Sequence, residues 1–225
     1  MFPADGVQLL KELTEKNDKR FFEANKARYE NTVKLPMAAI VESLNAKLEG
    51  FAPAYVTPPK KAMPRIHRDT RFSADKSPYK TEAAAIFPCQ GKEKQEAAGY
   101  FFRVTTTGAD LLGGVYMPGP EQLARIRAAI AAKPAAFRKL IGGKKLQDLF
   151  GPMQGEKLVR VPKGFDADHP AAELLKHKQF YFATSLPLEV ATSNELVPEV
   201  AARFKVLAPF VQWLDAALGN DAAAR

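Results

Sequence analysis

Residues 99–116 read GYFFRVTTTGADLLGGVY, and the alternation within them decides the fold. In an extended chain successive side chains point to opposite faces, so Tyr100, Phe102, Val104 and Thr106 share one side while Phe101, Arg103 and Thr105 share the other. Asp110 to Tyr116 forms a second such run, and the corner Thr107-Gly108-Ala109 between them predicts a hairpin turn. Both sides of the first run are apolar near its start, which predicts a central strand covered on both faces.

Working outward, Glu82 to Cys89 and Lys178 to Ser185 supply two further strands. The first fifty residues read as helices, because Val7, Leu10 and Leu13, then Phe22, Tyr29 and Val33, then Met37, Ile40, Val41, Leu44 and Leu48 recur at intervals of three and four. Asp5 and Asp18 are expected as N-caps, Gly50 as a stop, and Pro36 either kinks a long helix or opens its second half. Pro53, Pro58, Pro59 and Pro64 are expected to keep residues 51–64 extended, as a stiff connector. Helix returns at Pro120 to Ala132 and Pro134 to Ile141, and Leu196, Val200, Phe204, Leu207, Val211, Leu214 and Leu218 line one face of a last helix, bent at Pro209. These elements predict one α+β domain over residues 2–218, with helices packed on a mainly antiparallel sheet, and a C-terminal tail at 219–225.

With 225 residues, 46% of them apolar and 26% charged, the chain has the composition of a globular domain with a full core. Its apolar stretches are too short to span a bilayer and its first residues lack a basic signal-peptide start, so no membrane association and a cytoplasmic location are expected. The single cysteine, Cys89, lies in an apolar run and is expected as a buried thiol rather than a nucleophile.

Charge is concentrated. The stretch KKAMPRIHRDTRFSADKSPYK, residues 60–80, carries seven Lys and Arg against two Asp, a net +5 in a chain of net +8. If residues 65–72 are extended, Arg65, His67, Asp69 and Arg71 share one face and Ile66, Arg68, Thr70 and Phe72 the other. Arginine offers a planar fork of donors matched to phosphate or carboxylate. The expected ligand-binding set is therefore Arg65, Arg68 and Arg71, oriented by Asp69 and joined by Lys76 and Lys80, with Arg160 and Lys163 contributing from a second basic region. Its ligand is an anion, either a phosphorylated small molecule or a nucleic-acid backbone. Two rivals use the same residues: an enzyme in which Asp69, Asp75 or His169 moves a proton beside an anionic substrate, and an interaction module in which an Arg-Asp network only tethers the connector.

Asp166, Asp168 and His169 precede Pro170 where a helix should begin, so capping is favoured over catalysis. Three histidines with no i, i+4 pair disfavour a metal site, and no cofactor is expected, since Gly113 and Gly114 lack the spacing of a phosphate-binding loop. The two glycines instead predict a bulge or a close backbone approach. The run GYFFRV does not match the aromatic spacing of an RNA-recognition strand, so its aromatics are assigned to the core.

The runs RIHRDTRFSADKSPYK, FFEANKARYENTVKLPM, YMPGPEQLARIRAAI and GEKLVRVPKGFDADHPAAELLKHKQF together resemble the family catalogued as domain of unknown function 2461. The resemblance covers nearly the whole chain. It implies a single family domain from about Phe2 to Leu218 and brings no established activity, cofactor or substrate. It also implies tyrosine where this chain has His67, which argues against a catalytic role for that histidine.

Overall fold

The computed structural model describes residues 1–90 and 98–220. Four strands, β1 (Ala83–Pro88), β2 (Gly99–Val104), β3 (Gly108–Val115) and β4 (Phe180–Pro187), form one antiparallel sheet in that order. The hairpin between β2 and β3 closes through the Thr105 N–H, which donates to the Gly108 carbonyl at 2.8 Å. The helices and this sheet make a single α+β domain.

Tyr100, Phe102 and Val104 of β2 are buried against the helical layer. The helix Leu196–Ala217 crosses β2 and β3, bringing Phe204 to 4.7 Å from the Tyr100 ring. Gly113 makes this close packing possible, because a Cβ there would lie 2.8 Å from Leu207 Cδ1 and 3.2 Å from Val211 Cγ2. The apolar face expected for this helix is buried along its length, from Leu196 to Leu214.

The expectation that β2 is covered on both sides is corrected. Ile86, Phe101, Leu112 and Ala183 pair across all four strands, and each is only partly buried. Apolar side chains on both faces of a strand are equally compatible with two core layers and with one core layer plus an open face, and among the described residues the second arrangement holds.

In the N-terminal half, Asp18 caps the helix Lys19–Ala24 by accepting from the Phe21 N–H at 2.8 Å. Asp5 is not a cap. It lies in the first turn of the helix Ala4–Glu15 and, with Glu12, pairs with Arg28. The helix leading to Pro36 widens into a π segment at Glu30–Lys34 before continuing as Leu35–Leu48. Pro36 has no N–H for the Thr32 carbonyl and its ring crowds that oxygen, which explains the local widening. The same carbonyl presses on the first helix, where a Cβ on Gly6 would lie 2.2 Å from it. The connector also departs from expectation: Pro53 opens a 3₁₀ turn to Tyr55, and Pro59 opens the short helix Pro59–Ala62. At the first turn proline loses no hydrogen bond, so proline density alone did not exclude helix.

A buried polar cluster ties the layers together. Asp215, fully buried, accepts from the Ala98 N–H at 2.9 Å, from Asn220 Nδ2 at 3.1 Å and from the Tyr55 hydroxyl. Burial raises the Asp215 pKa despite these donors, and burial followed by the Asp215 charge raises that of Tyr55.

Candidate functional site

The basic stretch folds back on itself as an arm. The Lys80 N–H donates to the Ile66 carbonyl at 2.8 Å, the Arg68 N–H donates to the Pro78 carbonyl at 2.9 Å, and His67 and Tyr79 form an antiparallel bridge between them. From Arg65 to Thr70, odd positions are exposed and even ones partly buried, as the extended reading requires. Its base is fixed by Asn17, whose Nδ2 donates to the Tyr79 carbonyl and whose Oδ1 accepts from the Tyr79 N–H, both at 2.9 Å. The Tyr79 ring stacks on Phe22 at 4.2 Å, and Ile66 packs against the same small cluster.

Both acids of the stretch are used within the arm. Asp75 pairs with Arg68, and Asp69 takes Arg71 in a forked contact, Nη2 to Oδ2 at 2.7 Å and Nε to Oδ1 at 3.0 Å. Lys60, Lys61, Arg65, Lys76 and Lys80 have no ion pair among the described residues. Lys76 Nζ donates to the Thr70 carbonyl at 2.9 Å. At the turn Phe72 is 95% exposed, with the Arg71 guanidinium 5.8 Å from its ring centre.

The second feature is the open face of the sheet, a broad groove of about 850 Å³. Its floor is the row Ile86, Phe101, Leu112 and Ala183. In the adjoining row Gly99 pairs with Gly114, leaving bare backbone between Pro88 and Tyr181. Gly114 has φ +137°, and a Cβ on it would fall 2.2 Å from the Phe180 carbonyl. Tyr116 and Tyr181 form a wall, with ring centres 5.2 Å apart. The row on the other side of the floor, Ala84, Arg103, Asp110 and Ser185, is polar on three strands: Arg103 Nε donates to Asp110 Oδ2 at 2.8 Å and Ser185 Oγ to Asp110 Oδ1 at 2.7 Å, while Arg103 Nη1 reaches out of the row to Glu82 Oε2 at 2.7 Å. Burial opposes the charge on Arg103, but Asp110 and Glu82 outweigh it and raise the pKa. The arm and the groove adjoin through the chain itself, since Lys80 is separated from Glu82 only by Thr81.

A family model described as a conserved hypothetical protein, DUF2461, matches residues 5–213. The chain belongs to the DUF2461 family. No curated protein and no solved structure matches it.

In this family member the remaining expected site residues separate. Arg160 and Lys163 are exposed, on the segment between Gln154 and Gln179 that lies along β4, whereas the arm runs into β1 at the opposite edge, so no described hydrogen bond or ion pair joins the two basic regions. The expectation that Asp166, Asp168 and His169 cap a helix is corrected: the helix Ala172–Leu175 starts from Ala171 with no side-chain cap, and Asp166 and His169 instead close the turn before it, Asp166 Oδ1 accepting from the Asp168 N–H and His169 Nδ1 from the Ala171 N–H, both at 3.0 Å. Asp69 is held below the usual carboxylate range by hydrogen bonds from Arg71, and Asp75 is lowered to about 2 by hydrogen bonds from Ser77 and then Arg68. Carboxylates stabilised in this way are poor proton acceptors at neutral pH. The His67 ring lies 5.2 Å from that of Tyr79, a packing role that a tyrosine fills equally well. No group of three or more His, Cys, Asp or Glu among the described residues is placed to hold a metal ion, and no described helix is long and apolar enough to cross a membrane.

Two features escaped the sequence reading. The tether of the arm is Asn17, Tyr79 and Phe22, not the Arg-Asp pairs, and Ile66 and Tyr79 were its apolar signal inside a basic run. The groove was hidden because Phe101 had been assigned to the core.

Proposed function

We propose that this protein binds the phosphate backbone of a nucleic acid through the arm at residues 65–80, in the cytoplasm. The observation that carries this is the pinned, exposed arm, on which Arg65, Lys76 and Lys80 make no ion pair among the described residues, with Lys60 and Lys61 on the short helix just before it. Cations held at fixed spacing on an exposed element meet successive phosphates of a polymer and release its counterions. A small phosphorylated metabolite is the weaker choice, because the cleft between Arg65, Lys80 and Glu82 holds only about 20 Å³, room for one water and no phosphate.

The test is fluorescence anisotropy with a labelled single strand and a labelled duplex over a series of salt concentrations. Affinity should fall linearly with salt on logarithmic axes, with a slope of about −0.7 per contacted phosphate on a single strand and about −0.9 on a duplex. Replacing Arg65, Lys76 and Lys80 together by Gln should flatten that slope. Absence of binding at the lowest salt, or a slope unchanged in the triple variant, rejects the arm as the binding element.

A further inference from the structure

We propose that the open face of the sheet binds an unpaired guanine base, delivered by a single strand whose backbone lies on the arm. The strand part rests on the backbone-binding role of the arm, while the base site stands on the groove alone. Its volume, about 850 Å³, lies within the range of small-molecule sites, which are mostly apolar with a few placed polar groups. The bed is flat, because Phe101 and Leu112 offer ring and branched side chain beside the side-chain-free pair Gly99 and Gly114. Sheet faces that carry exposed aromatics bind unpaired bases by stacking, and a flat bed beside a tyrosine wall suits a ring system better than a bulky aliphatic.

The polar row selects the kind of ring. Arg103 and Asp110 line this end of the groove and cancel in charge, so it carries no net positive charge to hold an anion, although the chain as a whole is net +8. A phosphate or carboxylate gains no net attraction there, which leaves the backbone to the arm and turns the base edge toward the row. Two of the three Arg103 nitrogens are occupied and Nη2 has no described partner, while each oxygen of Asp110, which lines the groove, accepts one described hydrogen bond and keeps a further lone pair. The row therefore offers a donor beside carboxylate acceptors. Its complement is a ring edge with a carbonyl beside adjacent N–H donors, and among the common bases guanine presents that edge. Adenine lacks the carbonyl, and a carboxylate paired with its ring nitrogens is repulsive.

The experiment uses the full chain and two kinds of ligand. Isothermal titration with guanosine, which carries no phosphate, should show saturable binding at least tenfold tighter than adenosine. Phe101→Leu keeps the apolar packing and removes the ring, Asp110→Asn removes a carboxylate, and each should weaken guanosine at least tenfold with an unchanged thermal melting curve. The arm variant with Arg65, Lys76 and Lys80 replaced by Gln should bind guanosine within twofold of the parent. In parallel, a thymidine oligonucleotide with one central guanosine should bind more tightly than the all-thymidine strand. Oligonucleotide binding without guanine preference, and with no guanosine binding at millimolar concentration, overturns the groove site and leaves the arm standing. Guanosine binding without any oligonucleotide binding supports the groove and rejects the strand together with the arm. Equal binding of guanosine and adenosine, or full binding by Phe101→Leu, overturns the guanine assignment.

Discussion

Acidification from pH 7 to pH 4.5 should destabilise this protein through His177. The ring is 97% buried, stands 5.8 Å from Phe180, and leaves Nδ1 without a partner. Burial and then the neighbouring Lys157 push its pKa down from 6.5 to about 4, against smaller opposing effects of the Gln179 main chain and Glu173. The unfolded chain therefore binds more protons than the folded one between these values, and stability rises with pH across that window. It is fully present above pH 6.5 and is lost as the pH falls toward 4. A gap of about 2.5 between the two pKa values corresponds to about 3.4 kcal/mol at about 1.36 kcal/mol per pH unit. Integrating from pH 7 down to pH 4.5 gives a loss of about 2.4 kcal/mol. Asp215 has the opposite sign, because its raised pKa makes the folded state bind the extra proton as the pH falls. Asp5, Glu12, Asp69 and Asp75 have lowered pKa values and lose their contribution mainly below this range. Urea unfolding at half-unit pH steps should be run on the parent and on His177→Gln, so that the carboxylates cancel in the difference. The difference in stability should shrink or invert by about 2 kcal/mol between pH 7 and pH 4.5. Parallel curves for the two proteins would refute a buried, neutral His177.

The neighbours in β2 should behave oppositely in chemical denaturation: Phe102→Ala should cost about 3 to 5 kcal/mol, as for a buried aromatic, and Phe101→Ala, on the open face, about 1 kcal/mol or less. Gly113→Ala should cost about 1 to 3 kcal/mol by forcing the Leu196–Ala217 helix off the sheet, measured as a lower denaturation midpoint, and an unchanged midpoint would contradict the 2.8 Å approach of Leu207. Arg71→Lys should leave the melting temperature unchanged, because its pair with Asp69 is exposed, while weakening oligonucleotide binding, and a lowered melting temperature with unchanged affinity would mark it as structural. Asn17→Ala should remove both hydrogen bonds to Tyr79 and increase proteolytic cleavage between residues 66 and 80, and unchanged cleavage would deny the tether.

Much of the fold was legible because it rests on local periodicity. The strands align with the alternating runs to within a few residues, and the helices Pro120–Ala132 and Pro134–Ile141 begin at the prolines that announced them. What stayed hidden depends on partners distant in sequence. Whether Phe101 faces core or solvent is decided by whether a second layer exists, and nothing in GYFFRV records that. The arm was visible as charge, but its anchor is a contact between Asn17 and Tyr79 that no spacing rule connects. Arg160 and Lys163 shared only composition with the arm, and composition does not report which edge of a sheet a loop follows. Asp5 looked like a cap by position, yet Arg28 claims it from the short helix Lys26–Tyr29.

The Asp215 cluster has a consequence for how the chain is made. Its carboxylate satisfies the Tyr55 hydroxyl across 160 positions of sequence and the Ala98 N–H across 117. Synthesis from the N-terminus produces those donors long before their acceptor, so during translation both stay hydrated, and the face of β2 that meets Phe204 remains uncovered. Productive burial of both donors therefore waits for the helix Leu196–Ala217 to leave the ribosome, and a product truncated before Asp215 would leave the Tyr55 hydroxyl and the Ala98 N–H without this acceptor.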